Sequence, residues 1–296
     1  MKVFVRRPGA PDSVAITGSV VGLLSLLFGW LTLKPNRLVA GTSLKLWDSY
    51  GWGFTAILIC LWLLCLILSL SGKKHWHVVA LGIISNSIVI LSFVLAGIIA
   101  SRLLEGEASF ARVSLGAGVW LSSIGAYILI FSCRQGLEES PFWQNLVSWL
   151  GMAAVGILLG TGWLNDLSVI KEFSEQEARF AQELLNHVVI FTTSVIVGTL
   201  IGIPLGIWAT RSRHAEKPVF FIASILQTMP SLALFGLLIA PLSALSFAFP
   251  VLREYGLSGI GAAPAIIALI LYSLLPIVRN TYVGLNQLDP AVINAG

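Results

Sequence analysis

At 296 residues the chain is long enough for two water-soluble domains, but 56% of its residues are apolar, 11% are charged and its mean hydropathy is +0.89, which excludes an ordinary soluble globular protein. The formal charge of +4 is spread over short loops rather than gathered on one face, so it is no signal for nucleic acid. Cys60 and Cys65 lie inside an apolar stretch and Cys133 beside a basic loop, which implies no disulfide framework.

The composition therefore predicts an all-α, polytopic membrane protein. About 20 apolar residues of helix cross the hydrocarbon core, and five stretches of that length contain no Asp, Glu, Lys or Arg: Val14 to Leu33, Trp52 to Leu70, Val78 to Ile99, Val113 to Phe131 and Leu146 to Leu164. The first is long and is followed by no small-residue cleavage site, so it reads as a retained helix rather than a leader. Small-residue pairs, Gly18 with Gly22 and Gly156 with Gly160, would let helices approach closely, and packing is their expected use. The tryptophans Trp52, Trp76, Trp143, Trp163 and Trp208 fall near span ends, where an interfacial belt is expected in preference to a cation cage.

After residue 164 the character changes. "NDLSVIKEFSEQEARFAQELLN" is polar with apolar residues at Phe173, Phe180, Leu184 and Leu185, and Ser174 with Glu177 has the spacing of a capping box. A helix should begin there and run into the next span, lying on the membrane surface, docking a soluble partner or serving as a solvated linker. The predicted organisation is thus an N-terminal extension over residues 1–164, an amphipathic linker over 165–186 and a second membrane part over 187–296.

Three further spans follow, His187 to Thr210, Pro218 to Phe249 and Pro264 to about Leu285, making about eight. Gly198, Gly202 and Gly206 recur every four residues and give the sixth span one smooth face for a neighbour, while Pro204 on the same helix frees the carbonyl of Leu200. In the seventh, Gln227 and Thr228 stand deep in an apolar run just ahead of Pro230, where the helix should kink or unwind. Polar groups there need partners or water. Gln227, Thr228, Pro230 and Ser231 therefore border a translocation path or hold neighbouring helices by hydrogen bonds, and either use would satisfy them. In the eighth, Pro276 frees the carbonyl of Tyr272, and Arg279 sits near the span end, able to reach the interface.

A cytoplasmic N-terminus puts Lys2, Arg6, Arg7, Lys73, Lys74, Arg134, Arg211, Arg213 and Lys217 inside, with two dense clusters against apolar spans; the basic residues of the opposite loops are diluted among glutamates. No span has Asp, Glu or Lys near its middle, which weakens an ion-driven pump. No Walker A, H-E-x-x-H or G-x-S-x-G pattern occurs, and His75 and His77 lack further ligands nearby, so neither a catalytic constellation nor a metal site is predicted. Energy for uphill transport would have to come from a partner.

The chain closes on "LNQLDPAVINAG", where Asp289 and Pro290 spell the start of a short helix. With "GIPLGIWATR", "QTMPSLALFGLLIAPL" and "LLPIVRNTYVGLNQLDPAVINAG", the part from about Leu185 to Gly296 resembles the permease subunits of ABC importers for osmoprotectants such as glycine betaine and choline. The upstream "LKPNRLVAG" and "LNDLSVIKEF" resemble the long-form, enterobacterial-type glycine betaine permease. This resemblance implies part of a type I ABC importer permease fold and a bacterial inner-membrane location. It implies a separate ATP-binding subunit that carries the ATP and magnesium, a periplasmic substrate-binding protein, and a second permease copy or a homologous one, within membrane lipid. It also implies that Asp289 and Pro290 open the EAA coupling helix that docks on the ATPase. Asn294, Ala295 and Gly296 stand where its Glu-Ala-Ala would begin, with Asn for the acid and Gly for the second Ala, so the chain is expected to stop inside that helix with about two more spans to follow. An ion-gradient-driven transporter, a membrane-embedded enzyme and a structural or sensing role for the first five spans are the rival readings.

Overall fold

The computed structural model describes residues 11–71 and 74–288, and they form two compact units that meet in sequence between Gln176 and Glu177. The segment 165–186, expected to be a single linker, is thereby shared between them. Among the described residues seven helices are long and apolar enough to cross a membrane, so the protein is a predominantly helical, multi-pass membrane protein.

The first unit holds six helices: α1 (Ser13–Ser25), α2 (Leu46–Leu70), α3 (His75–Leu104), α4 (Ala117–Gly136), α5 (Pro141–Gly160) and α6 (Ser168–Glu175). Asp12 caps α1 by accepting from the N–H groups of Val14 and Ala15 at 3.1 and 3.4 Å, and its carboxylate also accepts from the hydroxyl of Ser132 on α4. The expected first span, Val14 to Leu33, is corrected here: its helix stops at Ser25, and its second half is strand β1 (Gly29–Lys34). β1 lies between β2 (Thr42–Lys45) and β3 (Arg112–Leu115), antiparallel to both, with Leu31 opposite Leu115 and Leu33 opposite Val113. The fourth expected span accordingly opens as β3 before α4 begins.

Thirteen residues of helix rise only about 20 Å, yet α1 and the turn after it run beside the whole of α4. The Asp12–Ser132 contact marks one end and the bond from Gly116 N–H to the Trp30 carbonyl, 2.7 Å, marks the other. Close approach depends on glycine: a Cβ on Gly18 would press on the backbone of Gly125, and one on Gly22 would collide with the Trp62 ring. Trp30 and Trp62 are fully buried, Trp30 donating its indole N–H to the Ser25 carbonyl at 3.2 Å and meeting Tyr50 edge-on. By contrast Gly156 and Gly160, read as a packing pair, face open space. Trp52, Trp76 and Trp163 are exposed near helix ends, as expected of an interfacial belt.

Two polar clamps complete this unit. The buried Asn86 of α3 reaches into the backbone of α5, donating to the Val147 carbonyl at 2.9 Å and accepting from the Gly151 N–H at 2.6 Å. Such interhelical bonds hold helices together in hydrocarbon, at about 0.6–2 kcal/mol each. At the sheet end, Arg112 of β3 is 5% exposed and fastens α6. Its guanidinium donates to Glu172 at 2.9 Å, to both oxygens of Glu175 at 2.7 and 2.9 Å, and to the carbonyls of Ser109 and Ala111. The expected capping box is not made: Ser174 lies inside α6 and donates to the Lys171 carbonyl, and the next helix begins at Glu177.

The Arg112 hydrogen bond, with the positive charges of Arg112 and Arg37, holds the Glu172 carboxyl below its ordinary value of 4.5, against the opposing pull of partial burial. A lowered folded value means that this stabilisation is complete above about pH 4.5 and is lost as pH falls through the lower folded value. The unfolding midpoint of the purified protein should therefore drop on acidification below pH 4.5, and drop less steeply in Glu172→Gln. Parallel acid profiles of the two proteins would contradict the latch.

Candidate translocation site

The second unit is built on α7 (Glu177–Arg211), α8 (Arg213–Thr228), α9 (Ser231–Ala248), α10 (Val251–Glu254) and α11 (Ala262–Asn286). α7 continues through Pro204 as one helix of 35 residues and packs parallel to α11. Gly198, Gly202 and Gly206 supply the contact: a Cβ on each would meet Ser273, Ile277 and Thr281 respectively, closer than atoms can pack. Higher up, Ser194 donates to the Ile190 carbonyl at 2.7 Å and lies 3.4 Å from the Ile266 carbonyl of α11. The every-fourth glycine pattern thus does what its spacing predicts.

α11 is held from a second side as well. At about 100° per residue, Tyr272 and Tyr282 fall on roughly the opposite side of the helix from Ser273, Ile277 and Thr281, and both reach the α8 segment. Tyr282 donates its hydroxyl to Glu216 at 2.8 Å and stacks edge-on against Phe220. Tyr272 donates to the carbonyl of Met229 at 2.6 Å. Between the two faces, Val278 is fully buried against Ala209 of α7 and Val219 of α8.

The Met229 carbonyl is where the expected seventh span breaks. α8 ends at Thr228, Met229 is extended (φ −70°, ψ 135°), Pro230 follows, and α9 starts at Ser231. Proline removes an N–H from the ladder and disfavours helix at the residue before it, which leaves carbonyls on the α8 side without helical partners. Tyr272 satisfies one of them. Thr228 donates to the Ile225 carbonyl of its own helix at 2.9 Å, so its hydroxyl caps α8 rather than bridging helices. Gln227, Thr228, Pro230 and Ser231 are all exposed on this unit and cluster around the break.

Broken backbone with exposed polar side chains suits a site facing water or a passing solute, because irregular chain at membrane depth needs protein or an aqueous space beside it. Among the described residues no group of three His, Cys, Asp or Glu side chains is placed to hold a metal ion. Arg279 is exposed on α11. The residues read as the coupling helix, Asp289, Pro290, Asn294, Ala295 and Gly296, lie outside the described residues. The sequence reading missed Tyr272 as a structural partner. The available signal was a phenol within an apolar helix, since a Tyr hydroxyl there must find an acceptor.

Residues 9–170, more than half of the chain, match the family model for the N-terminal domain of the ABC transporter permease YehY. The chain belongs to that family of ABC transporter permeases. Residues 202–296, which include the break and its Tyr272 prop, match the inner membrane component of binding-protein-dependent transport systems. Curated relatives include the carnitine transport permease protein OpuCB of Listeria monocytogenes, 36% identical over 129 residues, covering 44% of this chain and 52% of the relative. The osmoprotectant import permease protein OsmW of Salmonella typhimurium is 40% identical over 110 residues, 37% of this chain and 46% of its own. The choline transport system permease protein OpuBB of Bacillus subtilis is 37% identical over 110 residues, 37% of this chain and 43% of its own. The chain spans about half the length of the curated relatives it matches. No solved structure matched.

If Tyr272 props the break of this permease, Tyr272→Phe should leave the Met229 carbonyl unpaired and cost about 1 kcal/mol. Amide hydrogen exchange over 226–234 should quicken while total helix content stays the same. Exchange in that window as slow as in the parent would show that the bond props nothing.

Proposed function

We propose that this chain is the membrane-spanning subunit of an ATP-driven importer for glycine betaine or a related quaternary-amine osmoprotectant. The observation that carries the proposal is the polar break at 227–231, held by Tyr272 within the part that matches the inner membrane component of binding-protein-dependent transport systems. Relatives named for carnitine, choline and osmoprotectant transport supply the substrate class. In this reading Gln227, Thr228, Pro230 and Ser231 border the path, offering hydroxyl and amide groups and no fixed charge to a solute that carries a delocalised cationic head.

The subunit itself hydrolyses nothing and holds no cofactor. ATP and magnesium are bound by a separate ATPase, a periplasmic binding protein delivers the solute, and a second permease copy or a homologue completes the path. The chain lies in a bacterial inner membrane with its N-terminus in the cytoplasm, a direction supported by the dense basic clusters at Lys73–Lys74 and Arg211 to Lys217 beside apolar spans. That direction sets the segment after α11 on the cytoplasmic side. There Asp289 and Pro290 begin the coupling helix, and Asn294, Ala295 and Gly296 belong to its ATPase-facing part. Closure of the ATPases would bias the permease between two states through this helix.

The test is made on the assembled importer in proteoliposomes. Binding protein loaded with glycine betaine should stimulate ATP hydrolysis and uptake together, and Asp289→Ala with Pro290→Gly should preserve hydrolysis while lowering uptake. Two lost helix-start contributions of about 1 kcal/mol each would reduce uptake by roughly tenfold or more. Uptake undiminished in the double variant would remove the coupling role, and no stimulation by any quaternary amine would remove the substrate class.

A further inference from the structure

α5 is shallowly embedded, with Val155 and Leu158 of its C-terminal half only partly buried against the core. Its only buried residues are Val147 and Gly151, near the Asn86 clamp, and beyond them Gly156 and Gly160 meet nothing. The space left between α3, α4 and α5, roofed by the turn before α6 and by α6 itself, is an apolar cavity of about 620 Å³. Phe93, Leu115, Trp120, Val155, Leu159 and Ile170 form most of its wall.

The cavity opens to the unit's surface, and its wall is mainly apolar. Water finds few partners on it, since only the hydroxyls of Ser114 and Ser168 and the Glu172 carboxylate are polar. An apolar, flexible chain matches such a wall. Three of the bounding helices, α3, α4 and α5, are membrane-crossing candidates, and Trp120, Leu159 and Val169 around the cavity are exposed on the unit's surface. The source of apolar material at that surface is the bilayer.

One rim residue is polar and charged, Glu172 of α6. Its carboxylate is engaged by Arg112 and lies 3.6 Å from the guanidinium of Arg37. Arg112 is spent on five acceptor contacts, whereas the Arg37 side chain is 62% exposed. A largely exposed guanidinium beside the rim residue Glu172 of an apolar cavity is complementary to a phosphodiester above an acyl chain.

We propose that the N-terminal unit holds one bilayer phospholipid, an acyl chain in the cavity between α3, α4 and α5 and its phosphate on Arg37. The bound chain completes the packing that α5 lacks, and the headgroup joins the Arg112–Glu172 latch that positions α6 over the cavity.

The assembled importer is reconstituted in phosphatidylethanolamine vesicles doped with phosphatidylethanolamine bearing a diazirine on one acyl chain, irradiated, and its adducts mapped by peptide mass spectrometry. Adducts should concentrate in 114–120 and 155–170 relative to the outward surface of α2. Leu159→Trp, which puts an indole into the acyl-chain path, and Arg37→Ala, which removes the phosphate contact, should each lower them by about tenfold, the size expected when one such packing or charged contact is lost. Unfolding midpoints of both variants establish that they fold. Labelling no denser than on α2, or unchanged in Leu159→Trp, overturns the site, as does complete absence of adducts because protein covers the cavity. Equal labelling by a diazirine fatty acid without phosphate, together with indifference to Arg37→Ala, overturns the phospholipid assignment in favour of adventitious acyl filling.

Discussion

The second unit depends on α11 being gripped from two sides at once. On one side the glycine face of α7 lets Ser273, Ile277 and Thr281 come within backbone distance. In a bilayer no hydrophobic force draws helices together, since lipid tails are as apolar as leucine, so close van der Waals approach and hydrogen bonds have to supply the attraction. On the other side Tyr272 and Tyr282 reach the α8 segment, one at the Met229 carbonyl and one at Glu216. Val278 sits between the two contacts against Ala209 and Val219. Were α7 held further off by side chains, α11 would shift and Tyr272 would leave the break it satisfies.

The two units solve the problem of cohesion in lipid differently. The first surrounds a continuous core containing Trp30 and Trp62, closes one end with a three-stranded sheet, and fastens its two least embedded helices with polar clamps, Asn86 for α5 and Arg112 for α6. Among the described residues of the second, Ala209, Val219 and Val278 form a small buried cluster with Leu205, Phe220 and Tyr282 beside it, and Leu234, Leu242 and Leu274 are buried apart from it. Large side chains such as Phe191, Leu200 and Phe221 are exposed on this unit.

Much of this was legible because membrane physics writes itself into local sequence. Twenty-residue apolar runs, glycines at every fourth position and a Gln-Thr-x-Pro step each impose a local consequence, and α7 against α11 and the break after Thr228 follow directly from them. The sheet was hidden for a complementary reason. "GWLTLK" has no meaning as a strand until "TSLK" and "RVSL", the latter some 80 residues away, come alongside it, so an apolar run with a strand inside reads as a longer helix. Nonlocal partners also hid Tyr272, Asn86 and Arg112, each of which is an ordinary residue until its acceptor is known. Ser174 misled because capping-box spacing matters only where a helix starts, and α6 already occupies that position. The cavity beside α5 was illegible, since its wall is drawn from elements as far apart in sequence as Phe93 and Glu172.

At the break this chain of the YehY permease family presents a discontinuous helix, a few uncharged polar groups and a tyrosine bonded to the Met229 carbonyl, which on the proposed reading border the solute path. The most direct test of that account is the reactivity of single cysteines at the break, Gln227→Cys, Thr228→Cys and Ser231→Cys, each in an importer whose Cys60, Cys65 and Cys133 have been replaced by alanine. The reagent is a water-borne quaternary-ammonium thiosulfonate, which has the shape and charge of the proposed cargo. The account predicts that all three react in the assembled complex, and that glycine betaine delivered by the binding protein slows the reaction during turnover. Three cysteines that stay unmodified in both the resting and the nucleotide-bound complex would place the break against lipid or protein and contradict it.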